Sequence, residues 1–535
     1  MEQQMRRRLV GESRFGRKKT ARGKNGIAVS SHPIVSQIAV DTLNAGGNAV
    51  DAVMAASVAQ TVVEPHMTTI CGMLSMLHYD AATGEASYLN GGINRPKELT
   101  HLAPTELRTG KSVGVPGFWA AVESALERLG SKPKSELLKP AIDLAREGFE
   151  VNHFLYGMAF EQIGSLGRYP EGRNVFFPEG RLIEVGEILR QPDLADTLER
   201  LIDDGAEYFY RGEFAKRMVE TVQNAGGVLT LDDLDRYAVR WGDPARSTYR
   251  DYDVLGSPPP DAGGTHVIEI LNLLELIPLE RWGPSTESPD TLYWMLRFCG
   301  EVYAEGAKIR DPEFFDVPLD LLVSKSYAQQ RFELMRMADP QPVAKPPYSG
   351  SNHLTVVDGD GNIATVLHSV MSQPWTNGLF VDGVQLWAGA EHFLRTMPPA
   401  GGRGTSYLAP TLLLRQGKPV LAAGSPGHGL IQNVVQNTVN ILDFGLDIEQ
   451  SVHRPRFGAL SVDTFLADPV GPPSYLIEAD LDEAVRAEVV SRGIRLDACN
   501  PWNFYMGSYE GVHLAEDGTM SACADPRRAG KAIAV

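Results

Sequence analysis

The residues with the clearest chemical potential are a glycine and a serine at positions 350 and 351. An alternating run from Leu354 to Asp358 follows them and predicts a strand that begins beside the serine. If the Gly350–Ser351 peptide bond were cut, Ser351 would carry both a hydroxyl nucleophile and a free α-amine able to act as its base. One residue would then be equipped to attack a carbonyl. The alternative is an ordinary serine where a loop meets a strand.

The elements that must position Ser351 are readable on both sides of it. Residues 338–350 are rich in proline and small residues, which predicts an exposed loop where the chain can be cut without breaking a core. Apolar patterns then predict strands at 353–358, 362–370, 409–415 and 419–424 and a helix at 428–444. Earlier helix patterns include one that stops at Gly46-Gly47, one that opens at Asn48 and one at 265–275. Strands and helices in blocks favour an α+β layered fold.

The composition is that of a globular protein, with 43% hydrophobic and 22% charged residues among 535. The formal charge of −17 argues against a nucleic-acid surface. No run reaches the roughly 18 apolar residues that a membrane span needs. Four scattered cysteines without a CxxC pair suit reduced thiols better than disulfides or a zinc site. We therefore expect a cytoplasmic protein.

Several short motifs, in order along the chain, resemble the γ-glutamyltranspeptidase family of N-terminal-nucleophile hydrolases. Any one of them is weak, but their order and spacing hold from about residue 26 onward. They are Ala45 to Ala52, Val115-Pro116-Gly117, Ala141 to Phe149, Tyr249 to Tyr252, Pro258 to Gly264, Ser351 to Asn362, Ala409-Pro410-Thr411, Gly424 to Gly427, Pro455-Arg456-Phe457 and Ala524 to Arg527.

The resemblance implies a four-layer αββα sandwich that is made as an inactive precursor and cleaves itself between Gly350 and Ser351. Nine lysines and arginines among residues 1–24 predict a basic flexible tail at 1–25. The resemblance implies a large-subunit region at 26–350 and a small-subunit region at 351–535. The family nucleophile is usually threonine, and serine is a mild change because it also supplies a hydroxyl. A chain beginning with Ser351-Asn352 is also similar to the catalytic chains of penicillin and cephalosporin acylases.

The resemblance also implies roles for single residues. Ser351 would be the nucleophile and Ser369 would hold its amine. The backbone amides of Gly427 and His428, in a glycine-rich turn before a helix, would stabilise an oxyanion. Asn352 and His353 match family positions beside the nucleophile, although a histidine that begins a strand is more often a structural, hydrogen-bonded residue.

The substrate clamp is where the family pattern breaks. The family holds a glutamyl group with an arginine and an acidic residue. The arginine position falls on Asn90, with Arg95 as a shifted substitute, and the acidic position falls on His392, next to Glu391. The remaining predicted binding positions are Ser406 and Tyr407. A clamp without its charged partners forfeits charge-assisted hydrogen bonds of about 1.5–3 kcal/mol each.

These observations predict an autoprocessing hydrolase that cleaves an amide, or an activated C–C bond beside a carbonyl, through an acyl-Ser351 intermediate. Standard γ-glutamyl substrates are not expected. The alternatives are an unprocessed, idle family member that acts as a binding protein, or a true γ-glutamyl enzyme with a rebuilt pocket. No cofactor or metal is expected. The expected partners are a small-molecule substrate and the chain's own processed subunit, and a pairing of two such heterodimers is left open.

Overall fold

Two antiparallel sheets of seven strands each form the centre of the protein. The computed structural model describes residues 3–340, 351–394, 396–427, 429–460 and 474–535. In spatial order, the first sheet contains Lys531–Ala534, Gly26–Ser30, Ser351–Asp358, Ile363–Ser369, Met73–Asp80, Glu85–Gly91 and Arg240–Gly242. The second contains Ala21–Gly23, Met520–Ala522, Val512–Leu514, Lys418–Ala423, Thr411–Arg415, Tyr252–Gly256 and Ala245–Tyr249.

Helices cover the outer face of each sheet, so the fold is the αββα sandwich. The longer helices beside the first sheet are Gln3–Glu12, Pro33–Asn44, Ala49–Val63, Phe118–Leu129, Lys134–Glu147, His153–Glu161, Pro192–Asp203 and Glu213–Asn224. Those beside the second sheet are Gly263–Leu274, Pro289–Ala304, Lys325–Met337, Leu430–Leu442 and Glu483–Ser491.

Shorter elements connect these layers. The short α-helices are Ile163–Leu166, Pro170–Phe176, Gly205–Tyr210, Leu231–Asp235, Leu279–Trp282, Leu319–Leu322 and Ile448–His453. Short 3₁₀ helices lie at Pro104–Arg108, Gly110–Ser112, Pro178–Gly180, Gly306–Lys308, Gly389–Leu394 and Phe504–Met506. Small sheets pair Phe149–Glu150 with Ile188–Leu189, Phe380–Val381 with Val384–Gln385, and Phe457–Leu460 with Tyr475–Glu478 and Leu496–Cys499.

Side-chain alternation along the strands builds three cores. In the strand that begins at Ser351, Leu354 and Val356 pack against the helices, whereas Val357 lies in the core between the two sheets. In the second sheet, Val254 faces the outer helices and its neighbour Leu255 faces the first sheet. Ser351–Asp358 is buried on both faces, and its position in the sandwich is therefore fixed from both sides.

Local signals explain where the first helices begin and end. The helix Pro33–Asn44 ends before Gly46, whose φ is +81°, as the Gly46-Gly47 stop signal predicts. Asn48 caps the next helix by accepting a hydrogen bond from the backbone of Asp51, whose carboxylate in turn accepts from the Asn48 amide (3.0 Å).

The basic segment differs from the predicted flexible tail. It contains the helix Gln3–Glu12 and the strand Ala21–Gly23, which pairs with Met520–Ala522. Leu9 is fully buried, and the buried Arg6 guanidinium lies 2.8 Å from the Glu147 carboxylate. The nine basic residues suggested a solvated tail because charge alone does not reveal that a few apolar residues among them pack onto the domain.

All four cysteines lie in the described part of the chain and are unpaired, as predicted. Within the same part of the chain, none of the helices has both the length and the apolar character to span a bilayer.

Candidate active site

Ser351 is the first residue of its strand and is fully buried. Its Cα lies opposite that of Ser369, the last residue of the neighbouring strand, so both hydroxyl residues lie at one end of the first sheet. Ser351 and His353 have the same parity as Val357 and therefore face the second sheet. On that side, the backbone amide of Gly427 donates a hydrogen bond to Ser351 Oγ (3.1 Å).

Gly427 lies in the turn between the strand Lys418–Ala423 and the helix Leu430–Leu442. Its φ of +90° favours glycine, and a Cβ at this position would lie only 2.9 Å from Gly507 Cα. The amide of Ser508 also donates to the carbonyl of Pro426 (3.2 Å). The neighbouring segment thus holds the turn in the position from which the Gly427 N–H donates to the serine hydroxyl.

A buried pair of titratable residues packs beneath this turn. His353 Nε2 lies 2.7 Å from Thr365 Oγ1, and His353 Nδ1 lies 3.8 Å from Glu510 Oε2. Burial lowers the pKa of His353 to about 3 and raises the pKa of Glu510 to about 8, so both are mostly uncharged at neutral pH. A Cβ on Gly424 would meet the His353 ring at 2.7 Å, so the imidazole fills the space under the turn.

Ser369 lies beside the proposed nucleophile, in a tight turn of the chain. Its Oγ accepts a hydrogen bond from the amide of Met371 (2.8 Å), and Met371 has a φ of +47°. A Cβ on Gly72 would lie 2.6 Å from the Ser369 carbonyl oxygen, so the adjoining loop requires glycine there. The hydroxyl is thus fixed at the same sheet end as Ser351.

Asn352 points to the opposite face, toward the helices. Its Oδ1 accepts from Ser31 Oγ (2.9 Å) and from Arg528 Nη2 (3.1 Å). Ser31 Oγ also lies 3.0 Å from Glu64 Oε2, which accepts from Gln60 Nε2 (2.7 Å), so two acceptors share the single proton of the Ser31 hydroxyl. The same Arg528 nitrogen donates to the carbonyl oxygen of Ser351 (2.6 Å). A second buried polar network therefore supports the nucleophile from behind.

Asn90 and Ser406 come together around a residue that the sequence did not single out, Asp261. The Asp261 carboxylate accepts from Ser75 Oγ (2.6 Å), Asn90 Nδ2 (2.9 Å), the Tyr88 hydroxyl and the Ser406 hydroxyl. Burial raises the pKa of Asp261. On its other side, Asn90 Oδ1 accepts from the buried guanidinium of Arg403 (2.6 Å). The Asn90 amide is thus engaged within the protein on both its oxygen and its nitrogen.

Arg95 is engaged by a loop. Its Nε donates to the carbonyl of Leu99 and its Nη1 donates to the carbonyl of Pro398, both at 2.6 Å.

The other predicted binding residues lie on separate elements. Glu391 and His392 are half-buried on the short helix Gly389–Leu394. Tyr407 is half-buried, with its ring centroid 5.9 Å from that of His266.

Two predicted residues, Gly350 and His428, lie outside the described residues. Their expected roles as cleavage-site residue and second oxyanion amide therefore stay predictions. In the described ranges, no cluster of three or more His, Cys, Asp or Glu side chains is arranged to hold a metal ion.

Comparison with known proteins identifies the family. A family model described as gamma-glutamyltranspeptidase matches residues 35–535. The chain belongs to the γ-glutamyltranspeptidase family. It is 28% identical to the glutathione hydrolase proenzyme of Bacillus subtilis (strain 168), over 96% of this chain and 92% of the relative. It is also 28% identical to the acylase ACY 1 proenzyme of Pseudomonas sp. (strain SE83), over 97% and 95% of the two chains.

Solved structures agree with this assignment. The cephalosporin acylase from Bacillus halodurans superposes with a TM-score of 0.86 at 25% identity, over 97% of each chain. The γ-glutamyltranspeptidase family member described here is therefore an enzyme of the hydrolase or acylase type with the αββα fold of N-terminal-nucleophile hydrolases.

Sequence reasoning missed several residues of these networks, among them Asp261, Arg403, Glu510 and Arg528. Asp261 lies inside a family motif, and Arg528 directly follows one, Ala524 to Arg527. Their positions in or beside motifs were available signals. Their contacts were not, because Arg528 and Ser351 are 177 residues apart in the chain.

Proposed function

We propose that this chain is a self-cleaving N-terminal-nucleophile hydrolase in which Ser351 forms the acyl-enzyme. The observation that carries this proposal is the Gly427 amide, which donates to Ser351 Oγ (3.1 Å) at the first residue of a central strand. A backbone N–H fixed beside the nucleophile is within reach of the oxygen of an attacked carbonyl, and preorganised donors at that oxygen stabilise a developing oxyanion.

In the maturation step, Ser351 Oγ attacks the carbonyl carbon of Gly350. The bond from that carbon to the Ser351 nitrogen breaks, and the proton lost by Oγ passes to this nitrogen. Water then hydrolyses the resulting ester. The products are chains of 350 and 185 residues, and the second begins with a free Ser351 amine. An α-amine titrates near pH 8, so it can take the hydroxyl proton in later turnovers. We assign to Ser369, whose Cα lies opposite that of Ser351 in the sheet, the role of holding that amine.

In turnover, Ser351 Oγ attacks a substrate carbonyl, the amine proton passes to the leaving group, and water releases the acyl group. The leaving group is an amine for an amide substrate. For a ketone-activated C–C bond it is a carbanion that takes up the proton. The proenzyme names of the relatives and the family assignment support the self-cleaving reading.

The internal engagement of the predicted clamp residues favours substrates other than standard γ-glutamyl compounds. Asn90 bridges Asp261 and Arg403, and Arg95 donates to two backbone carbonyls. Breaking such buried hydrogen bonds to bind a carboxylate would cost about 1–3 kcal/mol for each group left unpaired. The competing proposals are a true γ-glutamyl enzyme with a rebuilt pocket and an idle, unprocessed binding protein.

Intact-mass measurement and N-terminal sequencing of the purified protein test this proposal. A fragment that begins with Ser351-Asn352-His353 is expected. Ser351→Thr should still cleave itself, and Ser351→Ala should remain a single 58.4 kDa chain. A wild-type protein that stays intact on incubation would favour the idle binding protein. Rapid release of 4-nitroaniline from γ-glutamyl-4-nitroanilide would favour the true γ-glutamyl enzyme. A cytoplasmic location and the pairing of processed heterodimers stay predictions.

A further inference from the structure

A buried arginine is held against the nucleophile between two aromatic rings. Arg528 is only 2% exposed, and its guanidinium carbon lies 5.1 Å from the ring centroids of both Phe154 and Phe504. Its Nη2 donates to the carbonyl oxygen of Ser351 (2.6 Å). The Phe504 carbonyl also lies 3.9 Å from the position that a Cβ on Gly427 would take, so this aromatic segment borders the turn that contacts the Ser351 hydroxyl.

Several polar atoms around this arginine have no hydrogen-bond partner within the described part of the chain. They are Nε and Nη1 of Arg528, Nδ2 of Asn352 and both ring nitrogens of His66. All three residues are at most 2% exposed, and the His66 ring lies 4.7 Å from that of Phe154. More than about nine-tenths of buried polar groups in proteins are hydrogen-bonded, so this concentration at a nucleophile marks a place for a ligand.

The chemistry of the unpartnered atoms defines the ligand. Arg528 and Asn352 offer only N–H donors at these atoms. Glu64 is an acidic residue of the same network; its Oε2 accepts from Gln60 Nε2 and lies 3.0 Å from Ser31 Oγ. Gln60 Oε1 and one ring nitrogen of the neutral His66 are acceptors without a partner in the described part of the chain, but the N–H groups of Arg528 and Asn352 outnumber them. The cluster therefore suits a ligand oxygen that accepts hydrogen bonds.

We propose that Arg528, held by Asn352 Oδ1, binds an oxygen acceptor on the acyl part of the substrate, either a carboxylate or a second carbonyl group. This inference rests on the proposed role of Ser351. Guanidinium nitrogens are roughly 2.3 Å apart and hydrogen bonds are roughly 2.9 Å long. The acceptor thus lies within roughly 8 Å of the Ser351 carbonyl oxygen. That distance corresponds to an acyl chain with its acceptor about one to four bonds from the attacked carbon.

A panel of 4-nitroanilides tests the acyl preference. The oxalyl and pyruvoyl compounds carry a carboxylate and a second carbonyl, and the isobutyryl compound has a similar shape without either acceptor. The succinyl and 4-methylpentanoyl compounds form the matched pair for a longer chain. We expect kcat/KM to be about 10- to 100-fold higher for an acceptor-bearing compound than for its match. A higher rate for oxalyl than for pyruvoyl would identify the carboxylate as the ligand group, and the reverse would identify the carbonyl.

Variants at position 528 assign the preference to this residue. Arg528→Met keeps the length of the side chain without its donors. It should remove the preference, so the kcat/KM ratio within each matched pair should fall to about one whatever the change in absolute rate. Arg528→Lys keeps the charge and should restore only part of the preference. The matched control is Arg146→Met, which removes an exposed guanidinium that pairs with Asp196 and should leave the preference unchanged.

A binding measurement covers the case in which the Arg528 variants fail to fold. Oxamate, or succinamate for a longer site, should raise the melting temperature of the processed wild-type protein, whereas isobutyramide should not. Equal rates on every matched pair, or equal shifts with acid and neutral ligands, would overturn the inference. Those results leave self-cleavage intact, whereas an unprocessed protein that hydrolyses none of the anilides would overturn the proposed function itself.

Discussion

Replacement of Gly427 by alanine tests the central geometry of the site. Gly427 has a φ of +90°, which costs a residue with a side chain about 1–3 kcal/mol. The new Cβ would lie 2.9 Å from Gly507 Cα, so the turn must move. Because the turn carries the amide that donates to Ser351 Oγ, the movement withdraws one oxyanion donor. Loss of such a donor lowers kcat by about 10²–10³.

The assay needs no known substrate, because self-cleavage can be followed as loss of the 58.4 kDa chain over time. Turnover of any 4-nitroanilide that the wild type accepts provides the second measurement. The matched control is Gly518→Ala: Gly518 has a φ of +81°, but nothing lies within 4 Å of its added Cβ. The control should lose stability by about 1–3 kcal/mol from backbone strain and keep its rates. A Gly427→Ala protein that matches the wild type within threefold in both assays would refute the reasoning.

Three further predictions concern stability. Burial raises the pKa of Glu510 from 4.5 to about 8, so between these values the folded protein keeps a carboxyl proton that the unfolded chain has lost. The free energy of unfolding should therefore fall as pH rises through this window, by up to about 1.4 kcal/mol per pH unit. Urea denaturation at pH 5 and pH 8 should show a smaller fall for Glu510→Gln than for the wild type, and equal falls would contradict the raised pKa. Asp261→Asn replaces one acceptor oxygen by an NH₂ donor that faces other donors such as Asn90. The free energy of unfolding should fall by about 1–3 kcal/mol, and an unchanged urea midpoint would contradict this. Arg6→Glu replaces the Arg6–Glu147 ion pair by two like charges and should loosen residues 1–25. Limited proteolysis should then cleave this segment faster than in the wild type, and an unchanged cleavage rate would show that the ion pair does not hold it.

Much of the fold was predictable because its elements carry local signals. The predicted strands at 353–358 and 362–370 correspond to Ser351–Asp358 and Ile363–Ser369, and the predicted helix at 428–444 corresponds to Leu430–Leu442. The first strand begins earlier than predicted because Ser351 pairs with Ser369, and a polar residue at a strand end is defined by its partner rather than by the apolar pattern.

The site was predictable only as far as motifs reach. The resemblance singled out Ser351 and Gly427, and in the structure the Gly427 amide donates a hydrogen bond to the Ser351 hydroxyl. It could not show that the Asn90 side chain is engaged by Arg403, because these residues are 313 positions apart and neither has a local pattern that encodes the contact. The resemblance also gave no sign of the cluster of Arg528, Asn352 and His66, because these residues lie far apart in the chain.

The strand Lys531–Ala534 is distant from Ser351 in the chain but belongs to the same sheet. This strand pairs with Gly26–Ser30, which in turn pairs with the strand of Ser351, and Arg528 just before it contacts the Ser351 carbonyl. A nascent chain still short of residue 528 lacks both supports, although it already contains Ser351 and Gly427. Premature scission on the ribosome would therefore have to proceed at an unfinished site. Support of Ser351 therefore depends on a segment that lies 177 residues beyond it in the chain.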